Sequence, residues 1–366
     1  MFDKRSFEKV IIFLCTKEEL HRERKGYADA FKRLGYTVIC SGNIKRVKPL
    51  LEGIENRVLA IIQPEGYTPI HPFDIQEVNY PTIIFQWDTY TRSKIRARAS
   101  LPYDVKIVCH PDFDNFFTKK GCSHTYVLPW CVDDMEADIL EGSSKKYEVG
   151  WVGRFDTKFY SFRRKTLKHL QNSGFVMNDP NRNYSWGEMF QIYKNSKIVV
   201  NISRDDFLQD ANMRCFEAMG AGALLFTRLP TELVTIGFVD GEDFIGFTEL
   251  KSLNEVIRYY LSNEDKRIRI SQNGKKKVLQ SHTYYKRAET LIKIITDKRE
   301  VIMSDNLSRK LLGNKKMQQL AYTFWKDGEL QKMFDCLMLS KTRVPFGLLM
   351  CIFKLFLVKL KRVVFN

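Results

Sequence analysis

Asp210-Ala-Asn-Met-Arg-Cys-Phe-Glu-Ala-Met-Gly-Ala-Gly222 brings a capping side chain, a cation and a carboxylate into about two helical turns. Asp210 or Asn212 suits the start of a short helix, Met213, Phe216 and Met219 recur at core spacing, and Arg214 and Glu217 share another face. Gly220 and Gly222 then end the helix and turn the chain into the apolar run Ala223-Leu-Leu-Phe226. At such an N-terminus, backbone N–H groups and the helix dipole attract phosphate. An arginine adds charge-assisted hydrogen bonds, and a carboxylate accepts from two ribose hydroxyls. Together these residue types suit a nucleoside diphosphate, although a plain surface ion pair between Arg214 and Glu217 would use the same spacing.

A second group of cations strengthens the phosphate reading. Arg154 and Lys158 follow the strand-like Tyr147-Glu-Val-Gly-Trp-Val-Gly153, with Arg163, Arg164 and Lys165 on the next helix. Asn201 and Ser203 form the polar end of Ser196-Lys-Ile-Val-Val-Asn-Ile-Ser203. In an open parallel sheet, ligands lie beyond the carboxyl ends of strands, so all of these face one crevice. In the first half, Asp88 and His110 occupy equivalent strand-end positions and are the candidates for acid/base or acceptor-orienting work, set against the solvation role that polar strand ends often have. His282 reads as a capping or packing histidine rather than a catalytic one. No GxGxxG follows the first strand, so the dinucleotide fingerprint is absent.

Positioning these residues requires alternating strands and helices. Apolar runs at 9–15, 36–40, 58–62, 82–85, 105–109 and 125–128 predict strands, and the segment 18–34, closed by Gly35, predicts a helix between the first two. A second series follows: strands at 147–153, 196–203, 223–226 and 244–247, a capping box Ser185-x-x-Glu188, a further box Ser252-x-x-Glu255, and a last helix from His282. The fold class is α/β, with doubly wound parallel sheets. Acidic and small residues near 130–146 mark a linker, giving expected domains at 1–140 and 147–300 and a tail at 301–366.

Composition narrows the setting. The eight cysteines form no CxxC pair and several lie in apolar runs, which suits core thiols in a reducing compartment. Met1-Phe-Asp-Lys-Arg lacks the apolar core of a secretory signal, so a cytoplasmic protein is expected. Of the net charge of +16, half falls in residues 301–366, with twelve Lys/Arg against four Asp/Glu. There, residues 344–362 read as an amphipathic helix. Lys341, Arg343, Lys354, Lys359, Lys361 and Arg362 share one sector, and Leu349, Ile352, Phe353, Phe356, Leu357 and Leu360 lie opposite. Its apolar length is short of a membrane span, leaving two readings: docking on the protein itself, or lying on an anionic membrane surface through 341–362, at the inner face. No RRM, KH, helix-turn-helix or zinc-finger pattern appears, so no nucleic-acid partner is expected.

The segment 147–296 resembles the C-terminal domain of retaining GT-B glycosyltransferases, most closely the glycosyltransferase family 1 branch that includes CgeB-like spore-maturation proteins. The resemblance rests on Val152-Gly-Arg154, Tyr193-Lys-Asn-Ser-Lys-Ile-Val-Val-Asn-Ile-Ser203, Asn212-Met-Arg-Cys-Phe-Glu-Ala-Met-Gly-Ala-Gly222 and His282-Thr-Tyr-Tyr-Lys-Arg287. It implies two Rossmann-like domains across a cleft, a nucleotide-sugar donor held by the second and a glycan, lipid-linked or protein acceptor held by the first. By position it implies Glu217 on the donor ribose, Arg154 and Lys158 on the diphosphate, with Arg163 or Arg164 as the alternative to Lys158, and Asn212 and Arg214 beside it. It puts Gln209, with Asp210 as its neighbour, where relatives carry a second glutamate. No DxD motif ends a second-half strand, so neither metal nor cofactor is expected, positive side chains and the helix dipole taking the leaving charge. The competing expectation is a non-catalytic protein of the same scaffold that holds an anionic polymer or membrane.

Overall fold

Val10–Phe13 (β1) is a continuous apolar run buried along its whole length, as a strand covered on both faces must be. In the computed structural model it pairs in parallel with β2 (Thr37–Cys40) on one side and β3 (Val58–Gln63) on the other. With β4 (Thr82–Gln86), β5 (Val105–Val108) and β6 (Thr125–Val127), these strands form a six-stranded sheet of order β2-β1-β3-β4-β5-β6. A second sheet, also parallel, runs β10-β9-β8-β7 from β7 (Tyr147–Gly150), β8 (Ser196–Asn201), β9 (Leu224–Arg228) and β10 (Ile245–Phe247). All ten strands fall within or beside the runs expected from the sequence. The structure describes residues 8–305 apart from 43, 45, 66–71, 73, 135–144, 155–156 and 229–230, together with Ala321, Met333, Cys336 and Leu337.

The helices cover both faces of each sheet. In the first half they are α1 (Arg22–Arg33), α2 (Ser93–Ser100) and α3 (Phe113–Lys119), and in the second α4 (Ser161–Gln171), α5 (Trp186–Lys194), α6 (Met213–Gly220), α7 (Thr231–Thr235), α8 (Leu250–Ser262) and α9 (Glu264–Ser281). Then come α10 (Tyr284–Asp297) and α11 (Arg299–Ser304). The twofold alternation of strand side chains divides each core. Val10, Ile12 and Leu14 face one layer of the first sheet, and Ile11, Phe13 and Cys15 face the other. The second sheet divides likewise, with Leu225 packed against Phe216 of α6 and Leu224 and Phe226 against Leu253 of α8.

Three expectations need correction. The helix beginning after His282 does not complete the second unit: Tyr284, Ala288, Leu291 and Ile295 pack on the first sheet beside Tyr27 and Phe31 of α1. The chain recrosses where Val132 and Thr283 pair as a parallel bridge, with Val132 N–H donating to His282 O at 3.0 Å and Tyr284 N–H to Val132 O at 3.1 Å. Ser252 caps nothing, because α8 has already begun at Leu250. Most of the expected linker lies outside the described residues, but Cys131 and Val132 at its start are buried.

In the tail, Ala321, Met333, Cys336 and Leu337 belong to the core of the first sheet, while the helix expected at 344–362 lies outside the described residues. The cysteines from Cys15 to Cys336 are free thiols, all buried except the half-buried Cys40. Among the described residues no helix is long and apolar enough to cross a membrane.

Candidate active site

Between the carboxyl edges of the two sheets lies a cleft of about 470 Å³. Its second-half wall is the turn leading into α6. There Asn212, with extended backbone, caps the helix by accepting the Arg214 N–H at 3.2 Å, as its residue type predicted. Gly222 (φ 75°) makes the turn from α6 into β9 in a conformation that side-chain-bearing residues avoid. The Arg214 side chain folds back, its Nε donating to Asn201 Oδ1 at 3.0 Å, while Asn201 Nδ2 donates to Thr227 Oγ1 at 3.2 Å. Asn201, at the end of β8, is therefore buried behind the arginine and positions it, rather than lining the cleft itself. Gly153 is shaped by the same arginine: its φ is 153°, and a Cβ there would stand 2.9 Å from Arg214 Nη1.

The cations converge. Arg22, Arg24, Arg154, Arg163, Arg204 and Arg214 all line the cleft. Arg163 spends its guanidinium on carbonyls, donating through Nε to Ile202 O at 3.1 Å and through Nη1 to Arg154 O, and lies over the Tyr160 ring at 4.0 Å. Burial, with the nearby charge of Arg214, pulls it down to about 9. Arg154 and Arg214, from the two separate segments, thus line the same cleft, with one exchange among their neighbours. Lys158 is exposed over Phe159 and away from the cleft, and Arg163 stands in the wall. A 3₁₀ turn at Lys158–Tyr160 precedes α4, so the side chain entering the cleft is the one a turn further on.

The acids divide by environment. Glu217 is 1% exposed, and neither carboxylate oxygen has a hydrogen-bond partner among the described residues. Burial pushes it up to about 7 against the attraction of Arg22 and Arg214. It is not a surface ion pair with Arg214; it lies one turn behind the cleft wall with its acceptors unused. Asp88 lines the cleft, where burial and the neighbouring Glu65 raise it above the usual carboxylate range. Asp210, rather than its neighbour Gln209, lines the cleft, and burial pushes it up to about 6. Gln209 contributes a backbone carbonyl that accepts from Glu232 N–H at 3.3 Å.

His110 is not in the cleft wall. It is fully buried behind Tyr90 and Phe207, whose rings stack at 4.5 Å across the two halves. His282 caps the end of α9 and packs against Phe216 and Phe238, and burial together with Arg287 pulls it down to about 3, so it stays neutral.

Arg22 was not singled out in the sequence. Its backbone is left-handed (φ 48°), and its guanidinium crosses from α1 to sit 4.7 Å over the Trp186 ring, with Nη2 3.9 Å from Met213 Sδ. Only the facing of the two halves reveals it.

A sequence model for a family described as "Glycosyl transferase-like" matches residues 165–293, the stretch that supplies Asn201, Asn212, Arg214 and Glu217. No curated protein sequence matches the chain. Among solved structures, the chain is similar to sucrose-phosphate synthase from Thermosynechococcus elongatus, with 10% identity, 80% of this chain and 100% of that one covered, and a TM-score of 0.53. It is similar to Anabaena HepE in complex with UDP and glucose, with 12% identity, 79% and 100% covered, and a TM-score of 0.55. It is also similar to α,α-trehalose-phosphate synthase from Burkholderia vietnamiensis, with 10% identity, 79% and 100% covered, and a TM-score of 0.52. These likenesses establish the fold: two parallel α/β units facing across a cleft, the GT-B arrangement.

Proposed function

We propose that the protein transfers a glycosyl group from a nucleoside diphosphate sugar to an acceptor hydroxyl, with retention of configuration, in the manner of the CgeB-like branch. The observation that carries this reading is the turn of α6: an open helix N-terminus and Arg214 face the cleft, and one turn behind them lies a buried carboxylate with both oxygens unused. The helix N-terminus, Arg214, Arg163 and Arg154 then hold the diphosphate, and Glu217 accepts from the ribose hydroxyls. As the sugar–phosphate bond breaks, negative charge grows on the leaving diphosphate, and these fixed donors stabilise it without a metal ion. Asp88, on the first-half wall and raised above the usual carboxylate range by burial, is the residue assigned to take the proton of the acceptor hydroxyl.

A thermal-shift series with UDP-, GDP-, ADP- and CMP-sugars tests the donor class, since a ligand of the native state raises apparent stability. The UDP and glucose held by the Anabaena neighbour make a UDP-sugar the first to try. Slow release of free nucleotide from the stabilising sugar nucleotide supports transfer. Stabilisation without any release would favour a non-catalytic binding protein. For residues 341–362 the reading is a peripheral contact with anionic membrane, next to a lipid-linked or membrane-proximal glycan acceptor. A chain ending at Ser340 should then lose salt-sensitive sedimentation with anionic vesicles and stay folded.

A further inference from the structure

Behind the cleft wall, His110 and Glu232 meet in a buried contact between the two halves that donor binding leaves unexplained. His110 follows β5 of the first sheet, and Glu232 lies in α7 of the second half. Nδ1 of the imidazole stands 3.0 and 3.1 Å from the two carboxylate oxygens. One of those oxygens also accepts the Ala211 N–H at 2.8 Å, so Glu232 pins the backbone beside Asp210. A carboxylate only accepts, and Nδ1 must therefore carry a hydrogen. Nε2 of His110 has no hydrogen-bond partner among the described residues, and neither has Oδ1 of Asp210, which is 4% exposed. A nitrogen of His110 and one oxygen from each of Asp210 and Glu232 lie within 4.8 Å of one another. Tyr90, Phe113 and Phe207 stand edge-on around the ring.

We propose that Glu232 is a positioning residue for the transfer: by gripping Nδ1–H of His110 it keeps an imidazolium beside Asp210, so that Asp210 faces the cleft as a carboxylate. This rests on the glycosyl-transfer reading, because such transfer passes through an oxocarbenium-like state and an anion in the wall opposes its positive charge. The charges around the ring agree. Burial pulls His110 down, but the bond to Glu232 and the charges of Asp210 and Asp88 outweigh it and raise it above its ordinary value. Asp210 is pushed up by burial and by Glu232 and Asp88, with His110 and Arg214 acting against them. Loss of the imidazolium would leave Asp210 to take up a proton.

The test uses the full chain in two measurements. Imidazole nitrogen NMR of the wild type, assigned with His110→Gln, should show His110 protonated at Nδ1 and titrating above the ordinary histidine value, and Glu232→Gln should lower that titration by about one unit. In nucleotide release from UDP-glucose, or from whichever sugar nucleotide is turned over, Glu232→Gln should lower kcat on the order of 10-fold near neutral pH and leave the donor KM within about twofold. The acidic limb of its pH profile should move to higher pH, because Asp210 then keeps its proton longer, and Glu232→Asp should restore part of the rate. A wild-type His110 that titrates at or below the ordinary value would overturn the proposal even if Glu232→Gln failed to fold. So would a rate loss equal at every pH, or a stoichiometric zinc ion bound by the wild type and lost in Glu232→Gln. If no sugar nucleotide is turned over, the transferase reading fails, while the NMR titration still decides the His110–Glu232 linkage.

Discussion

Arg22 is the strongest cationic influence on Glu217, although one opens the first helix of the chain and the other lies in α6 of the second half. The guanidinium reaches across the cleft, and the carboxylate it attracts remains buried without a hydrogen bond. Glu217 is thus poised between a proton and a partner.

That balance sets a pH dependence. The folded protein keeps the Glu217 proton up to about 7, whereas an unfolded chain releases it near 4.5. The folded state therefore binds more protons across this window, and the residue's contribution to stability is fully present below it and lost as pH rises through the folded value. Glu217→Gln should raise the Tm above neutrality and leave it unchanged below about pH 4, removing a penalty of up to ~3 kcal/mol. The same variant should bind UDP-sugar about 10- to 100-fold more weakly above neutrality, where the wild type offers a full acceptor. Calorimetry at two pH values checks both signs.

Arg214→Ala should weaken nucleotide binding by about 1.5–3 kcal/mol, because the side chain faces the cleft, and should also lower the Tm, because it leaves the buried Asn201 Oδ1 without its donor. Arg214→Lys should not restore it. The lysine lacks the Nε donor that Asn201 holds at 3.0 Å, and it presents one point charge in place of a fork. Titration calorimetry with UDP measures both variants: unchanged affinity in the alanine variant would remove Arg214 from the diphosphate site, and full recovery in the lysine variant would mean that a point charge serves in place of the fork.

Alanine in place of a mid-helix glycine ordinarily stabilises by up to ~1 kcal/mol. Gly26 in α1 should show the opposite sign, because a Cβ there would stand 2.3 Å from the Tyr284 ring of α10. Gly26→Ala should destabilise by about 1–3 kcal/mol in denaturant unfolding, the usual cost of overpacking. A neutral or stabilising result would mean that α10 can slide.

Prolonged treatment with EDTA should leave nucleotide release within about twofold of the untreated rate, since arginines and a helix terminus take the leaving charge. Abolition by chelator with recovery on adding Mg²⁺ or Mn²⁺ would instead bring in an ion, with His110, Asp210 and Glu232 the first residues to examine.

Much of this was legible in the sequence, for identifiable reasons. Buried parallel strands are continuous apolar runs, so all ten were visible, and Ser185 and Asn212 cap their helices as their types require. That Arg154 and Arg214 line one cleft was also legible, since one follows a strand end and the other lies in the first turn of a helix that leads into the next strand. What failed depends on direction or on distance along the chain. Gln209 and Asp210 are adjacent, and nothing in the sequence says which side chain a turn sends into the cleft. Lys158 and Arg163 differ by one helical turn. His110 stands at a strand end as expected, yet Tyr90 and Phe207 cover it from opposite halves. Arg22 and Glu232 gain their partners only when the halves meet.

The side-by-side pairing of Val132 and Thr283 makes the second half a topological insertion into the first. Its entry and exit are bridge partners, the close spacing of ends that lets domains be inserted into or cut out of a chain. A short link from Cys131 to Tyr284 would excise the inserted unit and still return α10 to the face of β1 and β3. The converse cut, a fragment running from Tyr147 to Asp297, would keep α10 and lose the sheet it covers, exposing Tyr284, Leu291 and Ile295 to water. An expression boundary drawn at Ser281 follows the packing, whereas one drawn at the end of the apparent second domain divides a core.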